Sequence, residues 1–156
     1  MAAEEGKKAP AFTLQGSDGA KHKLSDHAGE WLVLYFYPRD MTPGCTTEAC
    51  DFRDNLARVS AAGAVVYGVS KDSLASHDKF VAKHDLNFVL LSDPELKVHE
   101  KYGAYGEKKM YGKLTKGVIR STFLIDPKGK IAKAWRNVRA KGHVDKVLAE
   151  LEAAAG

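Results

Sequence analysis

The residues best equipped to do chemistry are two cysteines, Cys45 and Cys50, the only ones in the chain. They lie in Tyr35-Phe-Tyr-Pro38-Arg-Asp-Met-Thr42-Pro-Gly-Cys45-Thr-Thr-Glu-Ala-Cys50, where an apolar run gives way to helix-forming residues. A thiol reacts as its thiolate, so the question is what would hold charge on sulfur. Thr42 followed by Pro43 is a good N-cap and N1 pair, which puts Cys45 at N3 of a helix. Unpaired backbone N–H groups and the positive end of the helix dipole surround that position, and both favour thiolate over thiol. A free cysteine is otherwise most often a buried structural residue. That reading stays open for Cys50, which can simply pack in a core.

The spacing of the pair has its own consequence. Five residues along a helix is a rise of about 7.5 Å and a rotation of about 140°, which leaves the two Cα atoms roughly 8 to 9 Å apart. A disulfide tolerates about 7 Å at most. The cysteines can therefore bridge only if the first turns of the helix unwind, which would couple oxidation to a conformational change. The same spacing argues against a C-x-x-C oxidoreductase, and two thiols with no paired Cys/His set nearby make a poor zinc site. None of the six histidines stands at metal spacing. His27, His77, His84, His99 and His143 read as surface or helix-end residues, and His22 as part of a hairpin. No nucleotide-binding glycine pattern occurs, so neither cofactor nor metal is expected.

The elements that must position Cys45 follow from hydrophobic pattern. Trp31-Leu-Val-Leu-Tyr-Phe36, ended by Pro38, reads as a strand buried on both faces, and Ala64–Ser70 and Phe88–Leu91 repeat the pattern. Helices are expected from about Pro43 to Ala62, from Ser73 to His84, from Pro94 to Tyr102 and from Val144 to Ala155. Gly16-Ser-Asp-Gly19 and Asp126-Pro-Lys-Gly129 are turn signals that predict two hairpins. The Gly- and Lys-rich stretch 103–117 reads as an exposed loop. This order implies an α/β fold, a central mixed sheet covered by helices on both faces.

Length and composition set the frame. A chain of 156 residues predicts one domain, 1–156, able to bury a proper core. The net charge of +4 comes from basic residues interleaved with acids, the pattern of solvated faces rather than of a nucleic-acid site. Met1–Lys8 lacks the apolar run of a signal peptide, and the longest apolar run, Trp31–Tyr37, is too short to span a bilayer. The expectation is a cytoplasmic protein without a membrane partner. In a reducing compartment a close cysteine pair more often signals redox chemistry than a structural staple.

Pro38-x-x-x-Thr42-x-x-Cys45 resembles the active-site signature of the peroxiredoxins. With Cys50 five positions on, it is most similar to the bacterioferritin-comigratory-protein or Q-type branch. Gly6-x-x-Ala-Pro-x-Phe12, Phe36-Tyr-Pro38, Ser92-Asp-Pro94 and Arg120-Ser-Thr-Phe-Leu-Ile-Asp126 extend the resemblance over nearly the whole chain. It implies a thioredoxin-like fold with an N-terminal β-hairpin extension, and an antioxidant thiol peroxidase acting on hydrogen peroxide and organic hydroperoxides. Cys45 would attack the O–O bond and become a sulfenic acid. Cys50 would resolve it as an intramolecular disulfide, and thioredoxin or a similar dithiol protein would reduce that bond. By the same resemblance Thr42 hydrogen-bonds thiolate and peroxide, Arg120 polarises the peroxide and stabilises the thiolate, and Pro38 shields the sulfur from water. The resemblance also implies that Glu48 orients the arginines near the site; read from the residues alone, Arg120 is a surface arginine before a strand and Glu48 an ordinary first-turn acid. The branch implies a monomer, with a weak dimer open.

Other readings use the same cysteines differently. A thiol–disulfide oxidoreductase acting on proteins would normally carry C-x-x-C. A redox sensor or chaperone would use helix unwinding as its output and would lack fast catalytic peroxide consumption. A binding module with incidental thiols would be indifferent to their replacement.

Overall fold

The computed structural model describes residues 3–110 and 112–155. Its centre is β3 (Trp31–Phe36), which pairs in parallel with β4 (Ala64–Ser70) and antiparallel with β8 (Ser121–Ile125). With neighbours on both edges and covering layers on both faces, β3 has no wet side, and every residue from Leu32 to Phe36 is buried. Alternation along the strand sends Val33, Tyr35 and the following Tyr37 to one core, and Leu32, Leu34 and Phe36 to the other.

The sheet continues outward through β5 (Val89–Ser92), β1 (Thr13–Gly16) and β2 (Lys21–Lys23) on one side and β9 (Ile131–Arg136) on the other, in the order β2-β1-β5-β4-β3-β8-β9. Both expected hairpins form: β1 pairs with β2 and β8 with β9. The first core is closed by α1 (Pro43–Asp54), α2 (Leu56–Ala61), α3 (Leu74–His84) and α5 (His143–Ala155), which contribute Phe52, Val59, Phe80 and Leu148. The second takes Phe12 from the N-terminal segment and Val98 from α4 (Lys97–Lys101). This is the mixed α/β sheet with helices on its faces that the sequence predicts.

Two expectations need correction. The single helix over 43–62 is broken at Asn55, which leaves helical geometry at φ −114°, ψ 16° while its Nδ2 donates to the Asp51 carbonyl at 2.8 Å. Asparagine competes for backbone in this way, and so it ends helices. The stretch 103–117 is not a loop: β6 (Tyr105–Met110) and β7 (Lys113–Val118) pair as a separate two-stranded sheet. Its outer side chains stay in water, Leu114 at 71% exposure, so backbone pairing forms it without the apolar alternation that announces a strand. Among the described residues no helix is long and apolar enough to cross a membrane.

Candidate active site

Cys45 is the third residue of α1, behind Thr42 at the N-cap and Pro43 at N1. The chain reaches that helix through a tight turn in which Met41 takes a left-handed φ of 67°. The sulfur is buried, at 1% exposure of its residue. Arg120 immediately precedes β8, and the pairing of Ser121 with Phe36 carries it to the same end of the sheet. Its Nη2 donates to Cys45 Sγ at 3.3 Å and its Nη1 to Glu48 Oε1 at 2.6 Å. A cation held on sulfur favours negative charge there. Gly44 makes the approach feasible, since a Cβ at that position would stand 3.2 Å from Arg120 Nη2.

Glu48 is fully buried, so it is neither a first-turn acid nor a solvated one. Burial raises it from 4.5 to about 7, against the pull of the Arg120 charge and hydrogen bond. The signal for this placement is in the sequence: Cys45, Glu48, Ala49 and Phe52 fall at i, i+3, i+4 and i+7 and form the buried stripe of α1. Below them lies Tyr35, stacked on Phe52 with centroids 4.8 Å apart. Burial pushes its phenol well above the usual range, and the charges of Glu48 and Cys45 add to that.

Thr42 departs from expectation. It occupies the N-cap, but its hydroxyl makes no capping bond and donates to the Arg39 carbonyl at 2.9 Å, not to the sulfur. Pro38 is half-buried and shares with Arg120 a groove of about 630 Å³, whose other wall includes Lys108, Lys109 and Arg136. Cys50 is half-buried on the same unbroken helix as Cys45, and both thiols are free. A second pocket of about 460 Å³ is lined by Phe12, Leu32 and Ile125, and neither cavity has a cysteine in its lining.

Three histidines expected at the surface or at helix ends lie inside. His77 and His99 are fully buried and His143 is 3% exposed. Each is made tolerable by a polar partner: Asp40 for His77, Asp93 for His99 and Thr122 for His143. Burial first, then the charges of Arg120 and Lys146, push His143 down to about 4, which leaves it neutral beside Arg120. Among the described residues no three His, Cys, Asp or Glu side chains converge as a metal site requires.

Comparison with known proteins identifies the family. Residues 6–134 match the model of the AhpC/TSA family. Peroxiredoxin Bcp of Bacillus subtilis is 51% identical over 152 residues, 97% of each chain, and Peroxiredoxin Bcp of Escherichia coli 43% over 140 residues, 90% of each. Among solved structures, the Xanthomonas campestris bacterioferritin comigratory protein, studied for its alkyl peroxide reduction activity, superposes with a TM-score of 0.91 at 45% identity. The match covers 98% of this chain and all of that one. A Xylella fastidiosa PrxQ mutant gives 0.92 at 39% identity, covering 100% and 99%. The chain belongs to the AhpC/TSA family, among the Bcp or Q-type peroxiredoxins.

Proposed function

We propose that this protein reduces hydrogen peroxide and organic hydroperoxides at Cys45. Its thiolate attacks one peroxide oxygen: the S–O bond forms as the O–O bond breaks, and the departing oxygen takes a proton and leaves as water or alcohol. Sulfur is oxidised by two electrons to a sulfenic acid while the peroxide is reduced. Arg120 stabilises the thiolate and then the charge moving onto the departing oxygen. Pro38 closes the site to bulk water, and Thr42 turns its hydroxyl from Arg39 towards the bound peroxide. The observation that carries this reading is the Arg120 guanidinium bonded at once to a buried sulfur and a buried carboxylate.

The sulfenic acid then condenses with the Cys50 thiol, forming the S–S bond and releasing water. Peroxiredoxins draw on thioredoxin-type reductants, and here thioredoxin or a similar dithiol protein of the cytoplasm reopens the disulfide. Because both thiols lie on one helix of one chain, turnover needs no second copy, which supports action as a monomer. The alkyl peroxide activity of the Xanthomonas relative supports organic hydroperoxides as substrates.

The test is a non-reducing peptide map after one equivalent of hydrogen peroxide. A rapidly formed Cys45–Cys50 link is expected. Cys45→Ser should abolish peroxide consumption, because an alcohol is not appreciably ionised near neutral pH, and Cys50→Ser should trap sulfenic acid. Two thiols that stay reduced for many minutes would overturn the reading, and full thioredoxin-driven turnover by Cys50→Ser would remove Cys50 from it.

A further inference from the structure

His77 is fully buried on α3, and each of its ring nitrogens faces an acceptor: Nδ1 lies 2.7 Å from Asp40 Oδ2 and Nε2 lies 2.9 Å from the Leu91 carbonyl oxygen of β5. A backbone carbonyl cannot donate, so Nε2 must carry a proton. Asp40 is as deeply buried and already accepts from two further donors, Tyr37 Oη at 2.5 Å and Ser76 Oγ at 2.8 Å. Burial holds the Tyr37 phenol well above its ordinary range, so it stays a donor. With Tyr37, Ser76 and the ring converging on one carboxylate, Asp40 is placed to accept from Nδ1 while Nε2 donates to Leu91. Neither other buried histidine is placed this way: His99 leaves Nε2 without a partner, and His143 meets a hydroxyl that can itself donate.

Asp40 sits midway between Pro38 and Thr42, in the turn that delivers α1. Its own N–H is held at 2.7 Å by Asp72, whose Oδ2 also accepts from Ser70 Oγ. The groups around the pair are therefore Tyr37 at the end of β3, Ser70 and Asp72 at the end of β4, Ser76 on α3 and the Leu91 carbonyl of β5. We propose that His77 and Asp40 form a charged clasp that fixes the Pro38–Thr42 turn over Cys45, making His77 a positioning residue for the reaction with peroxide. The proposal rests on the reading that Pro38 and Thr42 line the peroxide site. It explains how a turn containing a left-handed methionine is kept in one conformation. It also separates two jobs: Arg120 holds charge on the sulfur, while the clasp holds the turn that receives the oxidant.

Two measurements on the full chain test it. In long-range proton–nitrogen spectra of the labelled protein, one histidine ring is expected to carry protons on both nitrogens. A bare nitrogen on every ring would overturn the charged clasp, and this result needs no variant to fold. In His77→Gln that signal should vanish, and peroxide should oxidise Cys45 roughly ten- to a hundredfold more slowly, the scale of loss that an ångström of misplacement causes. Alkylation of Cys45 by iodoacetamide should keep its wild-type rate, a split that general loosening of the fold would not give. Oxidation of His77→Gln at the wild-type rate would overturn the positioning role alone. Failure of the unsubstituted protein to react with peroxide would instead strike the peroxidase reading itself.

Discussion

The Arg120 guanidinium divides its donors between a sulfur and a carboxylate, so each of those groups affects what the other costs to ionise. Glu48 titrates near 7 in the fold against 4.5 in the unfolded chain. Between those values the folded state holds a proton that the unfolded state has released, so stability falls as pH rises through the window. At 1.36 kcal/mol per unit, the fall reaches about 3 kcal/mol by neutral pH. Melting curves from pH 4.5 to 7 should show this slope in the wild type and lose it in Glu48→Gln. Parallel curves would mean that Glu48 ionises like a solvated acid. Gly44 governs the same guanidinium sterically, because a methyl group there meets Nη2 at 3.2 Å. Gly44→Ala should displace Arg120 and slow Cys45 oxidation about tenfold, given that misplaced catalytic groups cost that much or more, with little change in melting temperature. An unchanged rate would show that the guanidinium adapts. The burial of Glu48 was written in its place on the Cys45–Ala49–Phe52 stripe, whereas its pairing with Arg120, 72 positions away, could be expected only from the family resemblance. His77 and His143 were illegible for the same reason, since Asp40 and Thr122 lie 37 and 21 residues away, whereas the partner of His99 is the nearby Asp93, six residues before it.

Helix α1 is anchored unevenly. Its C-terminal half carries Phe52, stacked on Tyr35 and edge-on to Phe88 at 6.3 Å. Its first two turns bury only Cys45, Glu48 and Ala49, and Thr42 gives the N-terminus no side-chain bond. Unwinding that begins at Pro43 therefore meets no large apolar anchor until Phe52, a span that includes both cysteines. Hydrogen exchange after one equivalent of peroxide should show the amides of residues 44–50 losing protection while β3 keeps its own. Protected amides in that span would require Cys50 to be reached some other way. The boundaries of α1 show how far pattern reading goes. Its start was fixed by Thr42-Pro43, chemistry internal to the segment, whereas its end at Asn55 depends on a side chain choosing the Asp51 carbonyl over solvent. The buried strands β3, β4 and β5 were readable because both faces are apolar. The β6–β7 hairpin was not, because its cross-strand pairs, such as Glu107 with Lys116, are polar and exposed.

For the molecule as a whole, oxidation exchanges one kind of stability for another. A disulfide between Cys45 and Cys50 closes a loop of about six residues and stabilises the fold by restricting the unfolded chain, worth about 2 kcal/mol. Forming it unwinds the segment that buries Cys45 and Ala49, and the lost apolar burial and helical hydrogen bonds cost about 3 to 5 kcal/mol. The loss outweighs the gain, so the oxidised protein should be less stable than the reduced one by about 1 to 3 kcal/mol, a fall in melting temperature of roughly 3 to 10 °C. Calorimetry of the two redox states measures this directly. An oxidised form that melts higher would mean that α1 stays wound and that the disulfide, if present, joins other partners. The sign matters for turnover, because destabilising the disulfide form relative to the dithiol makes the bond easier to reduce. For a two-electron couple each 1.4 kcal/mol is about 30 mV, so the loss should raise the potential by roughly 20 to 60 mV over the same pair in an unfolded chain. The packing that buries Cys45 in the reduced state is thus also what lets a dithiol partner restore it.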